Sequence, residues 1–221
     1  MRKVLALLGL IISVNVAAQS QAEDLRITAF GDSLVQGYGL PQGQGFVPQL
    51  AAWLEAQGAA VTLNNAGVSG DTTAGGAARV DWTLADQPQG LIVLLGGNDL
   101  LRGLPAAEAR ANLRKILQAA QARNVEVLLI GMRAPGNYGP EYKAAFDSIY
   151  ADLAQEFGAL LHADAFAGIR AETGQDPAAA QAYMQADNIH PNAKGVALNV
   201  AAVGPAVMTL LSRLSSPEEN G

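Results

Sequence analysis

Short apolar runs alternate along this chain with longer segments whose apolar positions recur at helical spacing. Residues 26–30 (RITAF) are β-rich and followed by Gly31. Residues 46–57 carry apolar side chains at 46, 47, 50, 51, 53 and 54, the rhythm of a helix with one buried face. Residues 61–65 read as a second strand, and 72–86 as a helix weakened by Gly75 and Gly76. The run 91–95 (LIVLL) is apolar throughout, as a strand covered on both faces must be. Residues 105–123 open on proline and place Leu113, Ile116 and Leu117 at helical spacing. Residues 125–130 predict a fourth strand, 141–157 a helix stopped by Gly158, and 159–161 a short fifth strand. Residues 193–214 predict a last helix, with a bend expected near Gly204-Pro205.

Strands alternating with helices imply βαβ units, hence a parallel sheet with helices on both faces. Neither an internal repeat nor a domain linker interrupts the pattern. In such sheets ligands bind beyond the carboxyl ends of the strands. Those ends are Gly31-Asp32-Ser33, then Ala66-Gly67-Val68-Ser69-Gly70-Asp71, Gly96-Gly97-Asn98-Asp99 and Gly131-Met132-Arg133-Ala134-Pro135.

The amino terminus departs from this pattern. Arg2 and Lys3 precede a largely apolar stretch to Val16, and Val16-Ala17-Ala18 supplies small residues at the spacing of a processing site. That is the anatomy of a secretory signal peptide over 1–18, cleaved after 18 or 22. The stretch is shorter than the roughly 20 residues of a spanning helix. The expectation is export across the inner membrane to the periplasm, with no stable membrane insertion once the leader is removed. An uncleaved anchor is the alternative. The domain is expected over 25–214, and 215–221 as a disordered tail.

Composition narrows the chemistry. The 221 residues contain no cysteine and two histidines, which excludes disulfides and thiol catalysis and disfavours a histidine-rich metal site. No metal or cofactor is expected. A net charge of −6 disfavours a nucleic-acid partner. Among the histidines, His162 follows a strand and reads as structural. His190 has Asp187 three residues upstream, a spacing that one turn can close so that the carboxylate orients the imidazole. A helix-capping aspartate would look the same. The nucleophile candidates are then hydroxyls, Ser33 and Ser69, neither of them in a G-x-S-x-G elbow. Gly70, through its N–H, and Asn98, through its amide, are candidate oxyanion donors, or else turn residues.

The blocks Phe30-Gly31-Asp32-Ser33-Leu34, Gly67-Val68-Ser69-Gly70-Asp71-Thr72, Gly96-Gly97-Asn98-Asp99 and Asp187-Asn188-Ile189-His190-Pro191 resemble, in order, the four motif blocks of the SGNH (GDSL) hydrolases. Asn137-Tyr138-Gly139 and Leu101-Arg102-Gly103 are similar to the bacterial arylesterase and thioesterase I/lysophospholipase subgroup. The resemblance implies a flavodoxin-like three-layer α/β/α sandwich with a five-stranded parallel sheet. It implies Ser33 as nucleophile, His190 as base and Asp187 as its orienting acid. Ser33 N–H, Gly70 N–H and Asn98 would form the oxyanion hole, while Asp32 and Asp99 would hold loops. The implied activity is hydrolysis of small-molecule esters or thioesters, lysophospholipids included, through an acyl-enzyme, by a monomer or weak oligomer. Three other readings stay open: a carbohydrate acetylesterase of the same family, a nucleotide-binding protein and a non-catalytic ligand-binding protein on the same fold. For nucleotides, Gly37-x-Gly39 through Gly43 misses the dinucleotide fingerprint by one residue. Specificity is expected from 34–46, 100–105, 132–140 and 168–186. Tyr38, Leu40, Leu101, Leu104, Met132, Tyr138, Ile169 and Met184 are candidate acyl contacts.

Overall fold

The computed structural model describes residues 25–174 and 176–215. The expected leader and all of the tail except Ser215 lie outside them. Strand β1 (Leu25–Gly31) is followed by a one-turn helix α1 (Ser33–Gln36) and by α2 (Phe46–Ala56). Then come β2 (Val61–Gly67), α3 (Thr73–Leu84), β3 (Gly90–Leu94), a short α4 (Gly97–Leu101) and α5 (Ala106–Gln121). After β4 (Glu126–Ile130) a 3₁₀ turn (Gly136–Tyr138) leads into α6 (Pro140–Phe157) and β5 (Leu160–His162). The chain ends with α7 (Ala167–Thr173), α8 (Pro177–Gln181) and α9 (Ala193–Ser215). The last helix thus takes in Ser215 and runs through Pro205 without a break.

The sheet order is β2-β1-β3-β4-β5, every pair parallel. Period-two alternation divides the strand side chains between two cores. Phe30, Leu91, Val93, Val127 and Leu129 pack under α3, α5 and α6. Ile27, Ala29, Ile92, Leu94, Leu128 and Ile130 pack under α2 and α9. This is a three-layer α/β/α sandwich of flavodoxin-like order. By length and composition α9 is apolar enough to cross a membrane. Here it is a core helix, with Val196, Val200, Val203, Val207 and Leu210 buried against the sheet layer. Trp53 of α2 lies so close to α9 that a Cβ on Gly204 would stand 2.6 Å from its ring. Glycine at that position lets the two helices approach.

The strand order reverses between β1 and β3, so the crevice past their carboxyl ends is the topological switch point. Ser33 follows β1 there and Asn98 follows β3.

Candidate active site

Ser33 is the first residue of α1. The Asp32 carboxylate caps that helix by accepting the Leu34 N–H at 3.0 Å. The helix closes at once on left-handed Gly37, which leaves Ser33 at the mouth of the switch-point crevice. Its Oγ lies 2.8 Å from Nε2 of His190. Nδ1 of the same ring lies 2.6 Å from Oδ2 of Asp187. The other oxygen of Asp187 accepts the N–H groups of Ile189 and His190 at 2.9 and 3.0 Å. Asp187 thus both closes its own turn and faces the ring.

The hydrogen bond from His190 is the largest influence on Asp187, and with the two N–H groups it holds the carboxyl down at about 2. An ionised carboxylate only accepts, so Nδ1 carries a proton. In the neutral ring Nε2 is then free to accept from Ser33.

The donor side is built by the other two blocks. Asn98 donates from Nδ2 to the Asp71 carbonyl at 2.9 Å and stands 3.5 Å from the Asp32 carboxylate. The bond to Asp71 is the short one, and the contact with Asp32 is long, so the amide is held at the edge of the crevice. The bond to Asp71 draws the loop after β2 alongside, and with it Gly70, whose φ of +85° few side chains tolerate. Asp99, fully buried, accepts Thr73 N–H at 2.8 Å and Thr73 Oγ at 2.6 Å, fastening α4 to the start of α3. Burial pushes the Tyr150 hydroxyl well above its ordinary value, so it remains a donor, and it holds the Leu95 carbonyl at 2.9 Å.

The remaining residues singled out in the sequence stand outside this hydrogen-bonded row, although His162 lines a narrow pocket beside Ser33. The Ser69 hydroxyl donates to Gln36 at 2.7 Å, not to a histidine. His162 stands in β5, and burial lowers its pKa. Ile169 is 3 % exposed and does not line either space beside Ser33.

The sequence profile of the GDSL-like lipase/acylhydrolase family matches residues 29–198. The chain belongs to that family. It is 39% identical over 193 residues to the esterase TesA of Pseudomonas aeruginosa, covering 86% of this chain and 90% of that one. It is 39% identical over 163 residues to the thioesterase 1/protease 1/lysophospholipase L1 of Escherichia coli K12, covering 73% of each. Among solved structures, the SGNH-hydrolase esterase AlinE4 superposes with a TM-score of 0.68 at 44% identity, covering 87% of this chain and 99% of that one. The fold is that of the SGNH hydrolases, and the protein is an enzyme of the esterase/acylhydrolase type.

Two spaces adjoin Ser33 in this GDSL-family enzyme. One is a narrow apolar pocket between Leu34, Phe46, Ile130 and Val196, with about 30 Å³ accessible to water. The other is an open cleft of about 450 Å³. Leu101, Met132, Tyr138, Met184 and Ile189 supply its apolar wall, and Leu101, Tyr138 and Ile189 are exposed. Of the acyl contacts named from sequence, Tyr38 and Leu40 line the narrow pocket and Leu104 lines neither space.

Two supporting residues carry no sequence signal. Arg79 donates to Asp71 and to the Gly31 carbonyl. Gln185 ties the His190 turn to the loop after α1. Its N–H donates to the His190 carbonyl at 2.8 Å, and its amide to the carbonyls of Tyr38 and Pro191 at 2.9 and 3.0 Å. The Tyr38 ring then lies against the imidazole, 4.8 Å between centroids.

Proposed function

We propose that the enzyme hydrolyses carboxylic esters and thioesters through an acyl-serine intermediate, with Ser33 as nucleophile, His190 as base and Asp187 as its orienting acid. The observation that carries this reading is the unbroken hydrogen-bonded row from the Ser33 hydroxyl through both imidazole nitrogens to Asp187. His190 takes the hydroxyl proton as Oγ attacks the acyl carbon. The oxyanion is met by the Asn98 amide, in exchange for its long 3.5 Å contact with Asp32, by Gly70 N–H and by Ser33 N–H, which has no intrahelical acceptor at the start of α1. His190 returns the proton to the leaving oxygen or sulfur. Water then attacks the acyl-enzyme along the same path, regenerating Ser33 and releasing the acid.

The cleft with its apolar wall is the roomier of the two spaces beside Ser33 and takes the substrate. That wall favours alkyl or aryl esters over acetylated carbohydrate. The relatives' names, esterase and thioesterase/lysophospholipase, support the same range. With the leader read from the sequence, the enzyme acts after export, in the periplasm. The test is turnover of p-nitrophenyl and acyl-thioester substrates, with covalent labelling by an organophosphonate. The wild type should turn over and label at Ser33, whereas Ser33→Ala should do neither. Labelling that persists in Ser33→Ala would overturn the assignment.

A further inference from the structure

The exposed charge on the cleft wall is positive, although the chain as a whole carries −6. Arg133 and Arg170 both line the cleft beside Ser33 and Asn98. The single carboxylate in that lining is Asp32, 2 % exposed. Behind the arginines lies Asp164, 7 % exposed. Arg170 grips it from two nitrogens, at 2.5 and 2.6 Å, and Phe166 N–H adds a third bond. Burial alone would raise the Asp164 pKa, but these bonds and the two guanidinium charges hold it below the usual carboxylate range. Asp164 is thus satisfied by Arg170. Arg133 reaches it only through Nε at 3.6 Å, with its side chain 56% exposed. No hydrogen bond joins the Arg133 Nη atoms to any described residue. Two guanidiniums facing one carboxylate leave a positive charge in excess, with a planar fork of donors open to the cleft. Such a fork matches the oxygens of a phosphate or carboxylate.

We propose that Arg133, braced beside Arg170 by Asp164, forms a subsite for an anionic group on the substrate, a phosphate or carboxylate. This rests on the cleft being the ester site. The phosphate can come from a lipid-derived ester or from a phosphorylated thioester carrier.

Binding of decyl phosphate and decyl alcohol, neither a substrate for acyl hydrolysis, is measured by calorimetry. The wild type should bind the phosphate more tightly, and high salt should erase the difference. Arg133→Gln should weaken phosphate binding about tenfold, the loss of roughly one charge-assisted contact. Arg133→Lys should restore part of it. A wild type that binds both alike, or an Arg133→Gln variant that weakens both equally, overturns the subsite. Kinetics then separate the sources. The ratio of kcat/KM for 1-acylglycerol phosphate to 1-acylglycerol, and for acyl-CoA to the p-nitrophenyl ester of the same acid, is compared in wild type and Arg133→Gln. A roughly tenfold fall in one ratio identifies the source. If neither ratio moves, the subsite does not serve the substrate and the proposal fails. If the wild type hydrolyses none of these, the esterase reading falls, while the calorimetry still decides the subsite.

Discussion

Arg79 donates from Nη2 to the main-chain oxygen of Gly31 at 2.8 Å. The same guanidinium meets Asp71 through Nε at 2.7 Å and lies 4.1 Å over the Phe30 ring. One side chain of α3 thus ties the end of β1, where the Ser33 turn begins, to the loop that carries Gly70. Both members of the ion pair are four-fifths or more buried. Arg79→Ala should therefore lower stability by about 2 kcal/mol, since it leaves Asp71 unpaired. The urea midpoint reads this. An unchanged midpoint would mean that Arg79 carries no such load.

Asn98→Ala removes one of the proposed oxyanion donors. The expected fall in kcat is about 10²–10³-fold, with KM little changed, because the interaction matters only once charge develops on the acyl oxygen. Steady-state kinetics on a p-nitrophenyl ester measure it. A change confined to KM would exclude the donor role.

Asp32 is pushed from its usual 3.8 up to about 6 by burial, against the lowering effects of Leu34 N–H, His190 and Asn98, while Asp71 adds to the rise. The sign follows from proton linkage. Between about pH 4 and 6 the folded chain holds a proton that the unfolded chain has released, so stability falls as pH rises through that window. Above it the full penalty applies, on the order of 3 kcal/mol for a group this buried. Asp32→Asn keeps an oxygen for Leu34 N–H and cannot ionise. It should be more stable than the wild type at pH 8, by a margin that shrinks towards pH 4. Denaturation at the two pH values measures the difference, and a margin independent of pH would contradict the account.

Gln185→Ala removes the amide bonds to Tyr38 and Pro191 but not the Gln185 N–H bond to His190. The imidazole turn should loosen without disappearing. A fall in kcat of about tenfold is expected, the equivalent of some 1.4 kcal/mol of positioning. Gln185→Glu keeps one acceptor but loses the donor, so it should not rescue. Rescue by Glu would show that the two carbonyl contacts are irrelevant.

Periodicity exposed the parallel sheet because β3 and β4 are nearly continuous apolar runs, and the main helices because each buries a single face. It missed α1 and α4, which at one turn each are too short to show a period. It also left 168–186 unresolved. There alanine-rich stretches form α7 and α8, and alanine marks neither face. The motif blocks were legible because glycine, aspartate and asparagine cluster at strand ends. Arg79 and Gln185 were not, because an isolated arginine or glutamine reads as surface until the fold brings a carbonyl to it. Arg133 and Arg170, 37 positions apart in the numbering, become neighbours only through Asp164.

Ser33 and His190 are separated by 157 positions. The proposed nucleophile and both further oxyanion donors are therefore synthesised long before the proposed base. A growing chain that has passed Asn98 but not Asp187 holds a serine with nothing to deprotonate it. On the proposed roles, hydrolysis should begin only when the final turn docks and α9 closes over the sheet. The appearance of esterase activity during refolding would then report completion of the whole domain, not of any part of it.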